Sequence, residues 1–119
     1  MSKIIVEVGS TCTKIDKNDG DVIERIDEKT ILFKKHYAEE KALRESDVKR
    51  LIDCINEQKL ISNDIYVCGT SIFRTLDEKE KQEFLNMFKS KTGLDFHIIS
   101  QEKENELTVY GTTRFVNSK

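Results

Sequence analysis

The sequence predicts a single α/β domain in which helices pack on a mixed β-sheet. Short β-branched runs separated by turn residues come first, as in an antiparallel meander. Two amphipathic helical segments then alternate with short apolar strands near residues 64–69 and 95–100. A chain of 119 residues forms at most one domain, which is large enough to bury one hydrophobic core. Early antiparallel strands followed by alternating helices and strands favour a mixed sheet.

The first strand and the turn after it are the part around which the chain is organised. Residues 3–8 read KIIVEV, a β-branched run that predicts a largely buried strand with one acid, Glu7, inside it. A carboxylate in such a run needs a partner or a metal ion. Gly9 permits a tight turn, and hydroxyls follow on Ser10, Thr11 and Thr13. This combination is typical of an anion site, above all for phosphate; the alternative is a hairpin turn whose hydroxyls bond their own backbone.

The antiparallel part of the sheet is predicted from the turn signals between residues 8 and 37. The chain is expected to return through 13–17 and to turn again at 17–21, where Asn, Asp and Gly tolerate left-handed geometry. Strands are then predicted at 22–26 and 30–37.

Helical periodicity begins near residue 46. It predicts a helix at about 46–59 with Ser46 as its N-cap, and a second helix that Asp77 caps and Gly93 ends. A polar loop or short helical turn is expected at 70–74, and a final helix at 101–115. The expected order is β-β-β-α-β-α-β-α, with about five to six strands. The buried helix faces are predicted to consist of Val48, Leu51, Ile52, Ile55, Phe84, Leu85 and Phe88.

The charges exclude several classes of partner. Twenty basic and 22 acidic residues are interspersed, which predicts neither a nucleic-acid-binding stripe nor a membrane surface. Because there is no signal pattern and the cysteine count is odd, we expect a cytoplasmic protein with Cys12, Cys54 and Cys68 reduced. Cys54 and Cys68 are predicted to lie in the core, whereas His36 and His97 are interpreted as ordinary surface or strand residues.

Three stretches resemble one family. Residues 7–13 (EVGSTCT) are similar to the first phosphate loop, D-[IL]-G-[ST]-N-[ST], of the exopolyphosphatase / guanosine pentaphosphate phosphohydrolase family. Residues 69–74 (GTSIFR) resemble its A/G-T-S-x-x-R element, and residues 98–111 resemble its I-S-G-x-E-E-A-x-L-x-x-x-G segment. All three occur in the family's order and spacing, which makes the resemblance more specific than any one motif. Together they span nearly the whole chain. The resemblance implies the actin-like, ribonuclease H-type fold of two similar halves with the active site between them.

The resemblance also implies that two lobes together form the active site. Residues 1–119 are expected to form one N-terminal lobe, since they contain no counterpart of the family's second phosphate loop, D-x-G-G-G-S. A second lobe, from a longer chain, another chain or a homodimer, would complete the enzyme, and this chain alone is expected to be inactive. The implied substrates are polyphosphate or a guanosine penta- or tetraphosphate, with Mg²⁺ as cofactor. The alternative is a non-catalytic module that keeps the scaffold and binds an anion or a partner.

The resemblance assigns roles to individual residues. Glu104 matches the catalytic acid, which orients or deprotonates the attacking water; its alternative is an exposed acid complementing a helix end. Arg74 matches a phosphate clamp, or is a surface arginine beside Asp77. Glu7 matches the metal ligand, directly or through water; its alternatives are a pairing with Lys14 or a place at a wet strand edge. The implied phosphate-binding residues are Gly9, Ser10, Thr11, Thr13, Thr70, Ser71 and Arg74.

The sequence departs from the family pattern where the chemistry is expected. Glu7 replaces an Asp and is one methylene longer, and Thr11 replaces an Asn and removes an amide donor. Gln101 replaces a glycine, and Lys103 stands where the first of two paired acids is expected. A lysine beside Glu104 would lower the pKa of that carboxyl and weaken it as a base.

Overall fold

One five-stranded mixed sheet forms the centre of the domain. The computed structural model describes residues 3–20, 22–100 and 102. The strand order is β3-β2-β1-β4-β5; β1 pairs antiparallel with β2 and parallel with β4. The predicted α/β class and mixed sheet are therefore confirmed. The strands are β1 (Lys3–Val8), β2 (Cys12–Asp19), β3 (Val22–Thr30), β4 (Ile65–Gly69) and β5 (Phe96–Ile98).

The helices connect β3 to β4 and β4 to β5. Within the described ranges, no helix is long and apolar enough to span a membrane. A 3-10 helix follows β4 directly, as the polar stretch at 70–74 predicts. The helical elements are α1 (Phe33–Glu40), α2 (Glu45–Gln58), the 3-10 helix Ser71–Thr75 and α3 (Glu78–Thr92).

Apolar residues on one face of the sheet form the core. Ile4, Val6 and Val8 alternate along β1 and are fully buried, because successive strand residues point to opposite faces. A phenylalanine cluster covers β4 and β5, with the rings of Phe73 and Phe96 4.9 Å apart. Gly69 makes this packing possible, since a Cβ there would lie 2.4 Å from the Phe96 ring. The cluster consists of Phe33, Phe73, Phe84, Phe88 and Phe96.

Local sequence signals predict the ends of α3 and the hairpin turn correctly. The Asp77 carboxylate accepts a hydrogen bond from the Glu80 amide at 2.8 Å, which satisfies an exposed donor at the helix start. Gly93 ends the helix at φ 74°, and Gly20 turns β2 into β3 at φ 68°. Both glycines adopt the left-handed conformation that side chains disfavour.

Two local predictions are wrong. The strand predicted at 30–37 is instead the end of β3 followed by α1, where Phe33 is buried against the core and Tyr37 packs beside it. Phe33 and Tyr37 are four residues apart and lie on one face of a helix. Packing against the core therefore determines that this short run is helical. Ser46 is not the N-cap of α2, because the helix begins one residue earlier and Arg44 occupies that position without a side-chain cap. Of the helix predicted at 101–115, only Glu102 lies within the described residues.

Candidate anion-binding site

A cavity of about 280 Å³ opens where β1 ends. Its walls come from three segments: the end of β1, the turn at 9–11 with the start of β2, and the residue after β4. We call it the Gly9 cavity. It is lined by Glu7, Gly9, Ser10, Thr11, Cys12, Lys14 and Thr70.

Gly9 is required by close packing in the turn. Its amide donates to the Cys12 carbonyl at 2.9 Å, which closes the connection between β1 and β2. A Cβ at Gly9 would lie 3.0 Å from that carbonyl oxygen. The φ angle of Gly9 is not positive, in contrast to Gly20 and Gly93. The lack of a side chain at Gly9 therefore lets the backbone at Cys12 come close, and it also leaves room for a ligand.

Ser10 presents a hydroxyl whose hydrogen-bonding capacity is unused. Its Oγ is buried and has no hydrogen-bond partner within the described part of the chain. A buried hydroxyl without a partner costs free energy until a ligand or water engages it. The Ser10 carbonyl accepts from the Lys34 amide at 3.0 Å, so the start of α1 holds the turn in place. Thr11 is exposed at the mouth of the cavity.

Thr70 brings the loop after β4 to the same place. Its amide and its Oγ1 both donate to the Val8 carbonyl, at 3.1 and 3.4 Å, and the residue is buried. These two bonds fix the loop after β4 against the end of β1. The first turn and the start of the 70–74 loop therefore lie at the ends of neighbouring strands, β1 and β4.

The charges of the cavity are one carboxylate and one ammonium. Glu7 and Lys14 are directly opposite each other on β1 and β2, on the sheet face away from the core. Nearby, the hydrogen bond that the Arg25 guanidinium donates to the Asp16 carboxylate raises the pKa of Arg25, and the negative charge of Glu7 raises it further. An anion bound in the cavity would therefore lie near one cation, three residues with hydroxyl groups and one carboxylate.

The donor set suits Mg²⁺ only if the ligand contributes oxygens. Within residues 3–20, 22–100 and 102, no group of three or more His, Cys, Asp or Glu side chains is placed to hold a metal ion. Mg²⁺ in phosphate sites commonly takes one or two carboxylates and completes its shell with phosphate oxygens and water. Glu7 is the carboxylate that this cavity offers for that purpose.

Cys12 is a poor nucleophile in this position. Burial raises the pKa of its thiol, and a hydrogen bond to the Glu28 carboxylate raises the pKa further. A thiol with a raised pKa holds little reactive thiolate near neutral pH. Cys12, Cys54 and Cys68 are all free, and the two predicted to lie in the core are buried.

Several residues assigned from the sequence do not line the cavity. Thr13 is fully buried on the core face of β2, where its Oγ1 has no partner among the described atoms. Arg74 donates from Nη1 to the Ile99 carbonyl at 2.8 Å and so contacts the backbone just after β5. Ser71 opens the 3-10 helix next to Thr70. Glu104, the predicted general base, lies outside the described residues.

Lys14 lines the cavity although the sequence did not single it out as a ligand. The signal was its spacing from Cys12, since residues two apart on a strand share a face. The sequence likewise missed the pairing of His36 with Asp47, whose Nδ1 and Oδ2 atoms lie 2.7 Å apart. That contact joins α1 to the first turn of α2, and Asp47 is buried.

The fold and the cavity together define an actin-like α/β domain with a glycine turn at the end of its first strand. A family model for the Ppx/GppA phosphatase family matches residues 13–119. The chain therefore belongs to the Ppx/GppA phosphatase family, and the resemblance stated from its motifs is confirmed.

Solved structures show the same fold at low sequence identity. An exopolyphosphatase from Cytophaga hutchinsonii is 17% identical with a TM-score of 0.72, over 90% of this chain and 36% of that one. A Ppx/GppA family member from Aquifex aeolicus is 22% identical with a TM-score of 0.69, over 87% of this chain and 36% of that one. The chain thus spans about a third of the length of these relatives. Among curated proteins, no match is found.

Proposed function

We propose that this chain supplies the first phosphate-binding turn of a Ppx/GppA-type phosphohydrolase. The substrate would be polyphosphate or a guanosine penta- or tetraphosphate, cleaved at its terminal phosphoanhydride bond once a second lobe completes the site. The observation that carries the proposal is Ser10, which lines the Gly9 cavity and whose buried hydroxyl has no partner among the described residues. A phosphate oxygen is an acceptor that would satisfy it.

Each cavity residue has a role in this proposal. Gly9 lets the backbone approach the anion, and the hydroxyls of Ser10 and Thr11 donate to phosphate oxygens. Lys14 supplies the positive charge, while Thr70 keeps the turn in position through its two bonds to the Val8 carbonyl. Mg²⁺, held by Glu7 and phosphate oxygens, would neutralise charge on the transferred group.

The catalytic step would depend on residues beyond this cavity. We propose Glu104 as the general base that orients or deprotonates the attacking water, as the family motif implies. Positioning and electrostatic stabilisation make up most of phosphoryl-transfer catalysis, so an open cavity on one lobe is insufficient. The three free cysteines support a reducing compartment such as the cytoplasm.

Titration with pyrophosphate and Mg²⁺ tests the binding role. We expect shifts of the amide resonances of residues 10–13 with millimolar affinity, about 4 kcal/mol, because the cavity is open to water. Ser10→Ala should weaken binding about fivefold through loss of one hydrogen bond. Ser90→Ala, at an exposed position of α3, is the matched control and should change nothing. The proposal would be contradicted if the amide resonances of the turn did not shift while resonances of surface lysines did.

A phosphate-release assay with long-chain polyphosphate and Mg²⁺ tests the need for a second lobe. We expect negligible turnover by the 119-residue chain, since water exclusion and half of the phosphate donors would be missing. Turnover that is abolished by Glu104→Gln would show that this chain suffices for catalysis.

A second candidate is a non-catalytic module that binds an anion or a partner chain. The observation that favours it is the bond between Arg74 and the Ile99 carbonyl, which occupies a nitrogen of the predicted phosphate clamp. The coding sequence downstream of Lys119 discriminates between the two, because a glycine-rich phosphate loop there supports the enzyme.

A further inference from the structure

A second cavity, larger than the Gly9 cavity, is lined by other segments of the chain and differs from it in character. It is a groove of about 790 Å³ between α2 and α3, and we call it the α2–α3 groove. Its floor is apolar and its rim is charged. The floor residues are Leu43, Val48, Ile52, Phe84 and Met87.

The two helices run parallel, which gives the groove a direction. Before α2, the Leu43 amide donates to the Glu80 carboxylate in the first turn of α3 at 3.0 Å. At the other end, the Lys59 ammonium donates to the carbonyl of Thr92, the last residue of α3. The groove therefore has one end at the two helix starts and the other at the two helix ends.

The charges of the rim follow this direction. Glu45 and Glu83 line the half near the helix starts, and Lys91 lines the opposite end. None of these three forms an ion pair with a described residue, whereas Lys49 and Asp53 in the middle pair with each other at 3.2 Å. The groove thus presents uncompensated acid at one end and an uncompensated base at the other.

The described residues cover the floor only in part. Ile52, Met87 and Leu43 are half-buried and pack on the core, while Val48 and Phe84 beneath them are buried. Burying the remaining apolar surface would contribute about 25 cal/mol per Å². A groove of this shape between two helices suits a third helix with apolar residues at i, i+3, i+4 and i+7.

We infer that the α2–α3 groove binds an amphipathic helix of a partner chain, antiparallel to α2 and α3, with acids in its first turn and lysines or arginines in its last. In this orientation its basic end lies beside Glu45 and Glu83, and its acidic end lies beside Lys91. The same charge order complements the partner helix's own dipole, so it also favours the helical conformation of the free partner segment. The groove runs from Glu45 to Asn56 along α2, about 17 Å or three turns.

Two synthetic peptides of about 14 residues serve as probes. The first carries glutamates in its first turn, a leucine stripe and lysines in its last turn; the second exchanges the glutamates and lysines at equal composition. Met87 and Met1 are the only methionines in the sequence, so the Met87 methyl resonance reports directly on the groove floor. Fluorescence anisotropy of labelled peptides gives the affinities.

We expect the first peptide to shift the Met87 methyl resonance and to bind about fivefold more tightly than its charge-exchanged isomer. The exchanged peptide is a poorer helix by itself, so the informative quantity is the ratio of the two affinities, compared between protein variants. Glu45→Lys with Glu83→Lys should invert this ratio. Glu24→Lys, the same charge change at an exposed position on β3, should leave it unchanged.

The result is decisive in either direction. An unmoved Met87 resonance with both peptides, or one ratio shared by all variants, would overturn the inference. Sedimentation that finds a dimer of the chain, lost in the Glu45→Lys and Glu83→Lys double variant, would assign the groove to a second copy and overturn the partner helix. Because the pyrophosphate titration can be run on the same samples, failure here is separable from failure of the proposed function.

Discussion

The two faces of the sheet share the same strands but serve different purposes. On β1, Val6 and Val8 are fully buried in the core, whereas Glu7 between them lines the Gly9 cavity. On β2, buried Thr13 and Ile15 flank Lys14, which also lines the cavity. Alternation along a strand thus places stability and binding on neighbouring residues. Substitutions on one face should leave the property of the other face largely intact.

The largest expected effect is on the core face. Phe73→Ala should lower the free energy of unfolding by about 3–5 kcal/mol, because it opens a cavity amid the ring cluster. Phe73 is fully buried, and its ring lies 5.2, 5.4 and 4.9 Å from those of Phe33, Phe84 and Phe96. Urea denaturation measures the loss. Tyr66→Ala, at a half-buried position on the opposite face, should cost less; an equal cost would contradict the division between the faces.

A smaller effect, on binding, is expected at the turn. Gly9→Ala should weaken pyrophosphate binding about tenfold, or about 1.4 kcal/mol, since its Cβ would crowd the Cys12 carbonyl and shift the turn. Isothermal titration in the presence of Mg²⁺ measures this. Gly20→Ala is the matched control: it should lower stability by about 1 kcal/mol because φ is 68° there, without affecting binding. Unchanged affinity in Gly9→Ala would show that phosphate binds elsewhere.

The smallest expected effect is a difference in alkylation rate between Cys12, at the cavity, and Cys54, in the core. Burial raises the pKa of Cys54 to about 11, so at pH 9 it holds little thiolate. Cys12, which is less buried, should therefore be alkylated first by iodoacetamide.

Glu28→Gln sharpens this comparison of thiols. It removes the carboxylate that raises the pKa of Cys12, which increases the thiolate fraction at a given pH and should speed alkylation of Cys12 about threefold. The rate at Cys54 is the internal control and should not change. Mass spectrometry of timed digests follows both cysteines, and equal acceleration at Cys54 would indicate general loosening of the fold.

Much of the fold could be predicted because its signals are local. Asp77 and Gly93 bound α3 through bonds within one helical turn, and the turn at Gly20 needs only its own backbone angle. The helix predicted at 46–59 is found at Glu45–Gln58, since its apolar period is long and regular. The run at 30–37 was predicted wrongly because it is short and apolar, and such a run fits either period until its packing is known.

The candidate site could be predicted in part. The motif at 7–13 identified Glu7, Gly9, Ser10 and Thr11, which all line one cavity because they are adjacent in the chain. The phosphate-binding roles of Thr13 and Arg74 remain predictions, because neither residue lines the cavity: Thr13 faces the core and Arg74 contacts the Ile99 carbonyl. The direction of a side chain depends on the strand register and on its neighbours, which a motif does not specify.

The sequence by itself determined the class of the domain, its main helices and strands, its family and the turn that carries the hydroxyls. These depend on periodicity, caps and motif order, all of which are properties of residues close together in the chain. Only the tertiary structure decided that Thr70 bonds the end of β1, that Lys14 joins the cavity, and that an acidic and a basic end bound the groove between α2 and α3. The reason is physical: each of these features is a contact or a shared surface between segments far apart in sequence, fixed only when the sheet and its helices pack together.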